Sequence, residues 1–493
     1  MKLKTDKITT LLMGIYVFIM VVIVGNAMVL GASKQGYFIL GCLSVIQILC
    51  ALLIIKNTEG TIITISGIFV VFLYVFHTGQ LFLNVFFKSY SYAKINFLKF
   101  VGEEEFFYST VFSLAIITAI VVGIGLGNGI RGKKNTHCFL SKYAKKLVHL
   151  KKDRKKMIVV GWFLIITTLP FHAKAAYGQI LLTSSGNYFD TFEYQISGIM
   201  YTYTQFILVG ITLVMLGYAE KKDKLTIIYL VTVVYFCWTM LSGGRGRAVI
   251  AIVFFTLLYL KLIKITLIKL IPFVIVGYVG LSALSIISIA RNEGAITWDV
   301  LMRGFENSGS PILRVLDEFG GTQYTMTLTM QEIPANFNYQ YGSSYLLSLF
   351  SVIPNVAGIF TEINNAAIFY LKYSQNYMGG SIIAELYANF GYLFIIPAML
   401  IGIFVSKMSR VFEKSLSEKQ YMIIPFLTLL VTGVMWWVRD SAPSILRNPI
   451  WAAIYLEILL NIYDEIFRKK EKNEKNSNYN RCIANGRGRK NYS

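Results

Sequence analysis

Charge is what this chain has least of. Only 15% of its 493 residues are Asp, Glu, Lys or Arg, whereas soluble domains carry about 25%. With 55% of positions hydrophobic, a soluble multidomain protein is excluded. Acids are scarcer still, 26 against 47 basic residues, for a net charge of +21. Cysteine is sparse and scattered. Cys42, Cys50 and Cys237 lie within apolar runs, Cys138 and Cys482 lie in basic segments, and no CxxC spacing occurs. That excludes a disulfide framework and gives no support to a zinc site. A small-residue cleavage site is also missing near the N-terminus, so the first apolar run reads as a retained helix.

What is present is a succession of apolar runs, each near the roughly 20 residues that cross a bilayer core. Twelve spans are predicted: 10–31, 36–55, 61–87, 105–127, 157–176, 196–218, 225–241, 248–264, 267–290, 380–405, 421–438 and 449–467. The expected fold class is therefore all-α, a polytopic helical membrane domain over 1–467 with one large loop, 291–379, between spans nine and ten. Residues 468–493 read as a basic, disordered cytoplasmic tail.

The positive charge is concentrated. Residues 128–156 hold eleven Lys/Arg and one acid, and residues 468–493 hold nine and two. Basic segments beside membrane helices mark cytoplasmic loops and attract anionic headgroups, so the charge argues for a membrane and against nucleic acid. With both termini cytoplasmic, the outer loops are 32–35, 88–104, 177–195, 242–247, 291–379 and 439–448. A further apolar stretch, 343–360, is interrupted by Pro354 and Asn355 and reads as an interfacial or re-entrant piece of the large loop.

In this frame the outer side of the C-terminal half is rich in arginine. Arg245, Arg247, Arg291, Arg303, Arg314, Arg439 and Arg447 face Lys372 alone. Positive charge outside opposes the insertion rule, and arginine's planar fork of donors suits bidentate phosphate contacts. Two of these arginines lie in Ser242-Gly243-Gly244-Arg245-Gly246-Arg247, a glycine-rich seat for phosphate or pyrophosphate. The plainer alternative is pairing with nearby acids, as Arg303 with Glu306 or Arg314 with Glu318.

Other features carry two readings each. Asn336-Phe337-Asn338-Tyr339-Gln340-Tyr341 suits sugar faces and hydroxyls, or simply the membrane interface. Ser381, Glu385 and Asn389 fall on one helix face, and Glu385 fits either a general base or a partner for Arg439 or Arg447. His172 fits proton transfer at a sugar hydroxyl near neutral pH, or, like His77, a hydrogen-bonded structural role. Glu103, Glu104 and Glu105 suit a divalent ion or, more simply, a helix dipole. Gly123, Gly125, Gly127 and Gly129 read as close helix packing and a turn, not a nucleotide loop.

Together, the twelve-span layout, the Ser242–Arg247 stretch, the late outer loop, and Gly380-Ser381-Ile382-Ile383-Ala384-Glu385 through Asn389-Phe390-Gly391 resemble the bacterial O-antigen polymerase family, the Wzy-type repeat-unit polymerases. The resemblance implies a GT-C-like membrane glycosyltransferase of the cytoplasmic (inner) membrane, acting at its outer face in O-antigen or capsule synthesis. It would move a growing glycan from undecaprenyl pyrophosphate to the sugar end of a new lipid-linked unit, without metal or other cofactor. Its partners would be the lipid-linked oligosaccharide, membrane lipids and a chain-length regulator. Arginines around the pyrophosphate map onto Arg245 and Arg247, then Arg291, Arg303 and Arg314. Glu385 and His172 as catalytic residues, and Arg439 and Arg447 as substrate-binding ones, come from the residues themselves. The rival readings are an O-antigen ligase of similar layout, a lipid-linked oligosaccharide flippase or other transporter, and a membrane scaffold.

Overall fold

A computed structural model describes residues 7–87, 101–129, 154–184, 198–240, 245–263, 299, 302, 310–353, 379–442 and 445–466. Among these residues the regular structure is helical throughout, with no strand. Lipid offers the backbone no partner, so an apolar run must close its hydrogen bonds internally, and a helix does this within one segment.

The N-terminal helices are α1 (Lys7–Leu30), α2 (Lys34–Glu59), α3 (Ile65–Phe86), α4 (Glu103–Gly129), α5 (Arg154–Ser184), α6 (Gly198–Gly217), α7 (Lys222–Thr239) and α8 (Arg245–Ile263). Three short helices follow: α9 (Pro311–Gly320), α10 (Thr322–Glu332) and α11 (Ser343–Phe350). Then come α12 (Ile382–Phe390), α13 (Ile395–Ser417), α14 (Ile424–Trp437) and α15 (Ile445–Ile466). Nine of the described helices are long and apolar enough to cross a membrane. The chain is an integral membrane protein. Helix α7 has Lys222, Asp223 and Lys224 in its first turn, which shortens its apolar stretch. Helix α14 has 14 residues and is entered through a 3-10 turn at Tyr421–Ile423. The expected span 267–290 and the tail 468–493 lie outside the described residues.

The expected tenth span, 380–405, is not one helix. It divides into the nine-residue α12 and the 23-residue α13, joined by a 3-10 turn at Gly391–Leu393. Gly391 causes the break: its φ is +52°, and a Cβ there would lie 2.7 Å from the Tyr339 ring. Only glycine combines that conformation with that contact. The membrane-crossing helix therefore starts at Ile395 and runs on to Ser417. Helix α12 is too short to cross and stands apart from it.

The described part of the late loop is folded into the bundle. Helix α9 packs on α3, and α10 packs on α4 and α12. Polar groups join them: Gln80 Nε2 donates to Asp317 Oδ1 at 2.7 Å, and Ser113 Oγ donates to Gln323 Oε1 at 2.9 Å. Helix α11 has eight residues, about 12 Å of rise, so it crosses no bilayer. The backbone N–H groups of Gln340 and Tyr341 donate to the carbonyls of Ala388 and Asn389, at 2.9 Å each, fastening the loop to α12.

The glycine string of α4 is a packing surface, as expected. A Cβ at Gly123 would lie 2.2 Å from the Met399 carbonyl oxygen, and one at Gly402 would lie 1.9 Å from that of Ile120. Helices α4 and α13 thus touch backbone to backbone. Glu103, Glu104 and Glu105 occupy the first turn of α4. At the other end of the bundle, ionic and polar contacts stitch helix ends together. Lys156 lies 2.6 Å from Asp464, Lys261 lies 2.7 Å from Glu413, and Ser409 Oγ donates to Glu59 at 2.9 Å.

Candidate active site

The site is organised by the end of α14 and the turn after it. Trp436 and Trp437 are consecutive, and their indoles have different partners. Trp437 Nε1 donates to Glu385 Oε2 at 2.6 Å, and Trp436 Nε1 donates to Asp440 Oδ2.

On the Trp437 side the carboxylate of Glu385 is 3% exposed, so its partners decide its state. It accepts from the Ala442 N–H at 3.2 Å and from Ser344 Oγ at 3.4 Å, in addition to Trp437. All three donors are neutral. Burial pushes the Glu385 carboxyl up to about 7, aided by the charge of Asp440 and opposed by the three hydrogen bonds. Ser344 is itself held, because Asn389 Nδ2 donates to its Oγ at 2.7 Å. Asn389 Oδ1 accepts from the Gly342 N–H at 3.0 Å, so α11 and α12 are locked together around Glu385. At the start of α12, Ser381 Oγ accepts from the N–H groups of Ile383 and Ala384, an N-cap. The same oxygen lies 2.8 Å from His77 Nε2, while His77 Nδ1 lies 2.8 Å from the Leu73 carbonyl. A carbonyl only accepts, so Nδ1 carries the proton and Ser381 donates to Nε2.

On the Trp436 side arginines gather. Arg247, exposed near the start of α8, has its guanidinium carbon 4.9 Å from the Tyr201 ring centroid and 4.9 Å from that of Trp436. Arg439 stands 5.7 Å from the Trp436 ring. Tyr201, on α6, is within electrostatic reach of Arg247, Asp440 and Arg447. Arginines from α8 and the 438–442 turn thus meet at one aromatic patch, and Arg447 of α15 acts on its Tyr201 electrostatically. No carboxylate forms an ion pair with these three among the described residues. Glycines permit the approach. A Cβ at Gly246 would lie 2.7 Å from the Trp436 ring, and one at Gly380 would lie 2.8 Å from the Asp440 carbonyl carbon. Thr325 Oγ1 donates to the Gly379 carbonyl at 2.8 Å and holds this strip from α10. No group of three or more His, Cys, Asp or Glu that could hold a metal occurs among the described residues.

The family model described as O-antigen polysaccharide polymerase Wzy matches residues 8–471. The chain belongs to the O-antigen polymerase Wzy family. No curated protein and no solved structure matches it.

In this Wzy-family chain the residues singled out from sequence divide into groups. Arg247 and Arg439 come together within electrostatic reach of Arg447, and Glu385 is joined to Arg439 through the 437–442 turn. Glu385 does not pair with Arg439 or Arg447; its partners are an indole, a backbone N–H and a hydroxyl. Arg245 opens α8. Arg314 lies on α9, beside Asp317. Arg291, Arg303 and Ser242–Gly244 lie outside the described residues. His172 has Nδ1 2.6 Å from the Tyr235 hydroxyl and packs edge-on to Phe236, and no described contact joins it to Glu385 or to the arginines. Its hydrogen-bonded reading is the one the geometry displays, and the same holds for His77.

Sequence reasoning missed Trp436, Asp440, Tyr201 and Ser344. Trp436-Trp437-Val438-Arg439-Asp440 closes an apolar run with two indoles and an ion pair's worth of charge, a signal strong enough to have flagged the turn. Tyr201 and Ser344 sit among many similar residues and carried none.

Proposed function

We propose that this chain polymerises lipid-linked oligosaccharide repeat units at the outer face of a bacterial cytoplasmic membrane. In this reading the arginine cluster receives the pyrophosphate of the undecaprenyl-linked donor. A hydroxyl oxygen on the acceptor unit attacks the anomeric carbon of the donor glycan. The bond from that carbon to the pyrophosphate oxygen breaks, and its electron pair leaves with the pyrophosphate. Fixed positive charge beside the leaving group lowers the barrier, because negative charge builds there in the transition state. The observation that carries the reading is the convergence of Arg247 and Arg439 on one aromatic patch, within electrostatic reach of Arg447, without a paired carboxylate among the described residues.

Glu385 has two roles to divide. Its hydrogen bonds to Trp437 and Ala442 make it the anchor of the turn that carries Arg439 and Asp440. Its carboxyl, pushed up to about 7 by burial, also suits a general base that takes the acceptor's proton near neutral pH.

The test is complementation of a strain lacking this chain. The Arg247→Ala variant, present at normal level, is expected to leave surface polysaccharide as single repeat units. A normal chain-length distribution overturns the pyrophosphate role. Complete absence of surface polysaccharide points to a ligase, and repeat units trapped on the cytoplasmic side point to a flippase.

A further inference from the structure

Arg247 is exposed, yet two rings hold it. An arginine side chain free in solvent samples many rotamers, and binding an anion then costs the ordering of all of them. Here the guanidinium carbon stands 4.9 Å from the centroid of Tyr201 and 4.9 Å from that of Trp436, within cation–π range of both. The rings come from different helices, α6 and α14, so their separation is set by the packing of the bundle. The Trp436 ring is itself secured. Its Nε1 donates to Asp440 Oδ2, whose partner oxygen Oδ1 accepts from the Ser441 N–H at 2.8 Å. Gly246 leaves the space the ring fills. Ring faces engage the π-surface of a guanidinium and leave its N–H edge available for oxygen acceptors.

We propose that Tyr201 and Trp436 are positioning residues, with Asp440 fixing the Trp436 indole, that pre-organise Arg247 for the pyrophosphate of the lipid-linked donor. The proposal rests on the polymerase reading above and adds to it: arginine's specificity at this position comes from the two-ring seat as much as from charge. Aromatic contact is worth most to a cation already removed from bulk water, which is the state of Arg247 once a lipid-bound donor covers it.

The experiment uses the full chain in lipid nanodiscs, with lipid-linked single repeat units isolated from cells lacking it. Inorganic pyrophosphate serves as the competing anion. Tyr201→Leu and Trp436→Leu, which keep apolar bulk without a ring face, are expected to raise the donor KM and the half-inhibiting pyrophosphate concentration about tenfold each. Tyr201→Phe, which keeps the ring, is expected to restore both to near the unmodified chain. Arg247→Lys is expected to behave like the ring variants, because an ammonium lacks the stacked plane. If both Leu variants leave KM and pyrophosphate inhibition unchanged while Arg247→Ala raises them, the seat is not a positioning device and the proposal fails alone. If Arg247→Ala also leaves them unchanged, the pyrophosphate reading fails with it. A loss confined to kcat, or a Tyr201→Phe variant as impaired as Tyr201→Leu, equally overturns the ring argument.

Discussion

Glu385 shows how one residue's surroundings set testable chemistry. Burial disfavours the charge and pushes its carboxyl up from the usual 4.5 to about 7 in the folded chain. A base must be ionised, so a polymerase using Glu385 in that role is expected to gain activity as pH rises through about 7. Glu385→Gln is expected to remove that rising limb; a pH–rate profile in nanodiscs measures it. If Glu385 only anchors the turn, the variant shifts activity uniformly and the limb stays. The linkage sign is equally definite. A folded value raised above the unfolded one adds stability below pH 4.5 that is lost as pH climbs toward 7. Glu385→Gln is therefore expected to flatten that part of the stability–pH curve, read by thermal unfolding in detergent.

Helices α12 and α13 carry the predictions at the scale of the element. Ser381→Ala removes the α12 cap, a loss of about 1 kcal/mol. It also leaves the buried Nε2 of His77 without its hydroxyl, which costs about 1–3 kcal/mol more. The double variant His77→Phe with Ser381→Ala is expected to be less destabilised than the two single changes summed, and thermal unfolding of the four proteins measures that coupling. The α4–α13 contact is stricter. Gly402→Ala places a Cβ against the Ile120 carbonyl and is expected to cost about 1–3 kcal/mol, seen as a lower Tm. Both elements were partly legible in advance. The glycine string announced close packing, and the spacing of Glu385 and Asn389 announced their place one turn apart on α12, whereas Ser381, expected on the same face, lies outside the helix as its extended N-cap. The break at Gly391 was not legible, because it depends on Tyr339, a residue from a loop that packs there only in the folded chain.

Across the whole molecule, orientation is the property most directly open to test. Tyr341, 78% exposed, lies at the arginine end by way of α12, and Lys419 lies at the stitched ionic end. In a variant lacking native cysteines, Tyr341→Cys is expected to react with a membrane-impermeant maleimide in intact spheroplasts, and Lys419→Cys only after permeabilisation. The reverse pattern overturns an outward-facing site.

The membrane character, the succession of spans and the family were present in the sequence itself, because hydrocarbon thickness and backbone hydrogen bonding leave an apolar run of this length little choice. Arg247 and Glu385 stood out for a related reason: charge is costly there, so each instance is conspicuous. Tertiary structure alone decided which of them meet. Helix periodicity puts residues on a face but does not say which faces touch. The packing of α6, α8 and α14 brought Arg247 and Arg439 to the Tyr201–Trp436 patch, gave Glu385 an indole in place of an arginine, and gave Arg314 and His172 other neighbours.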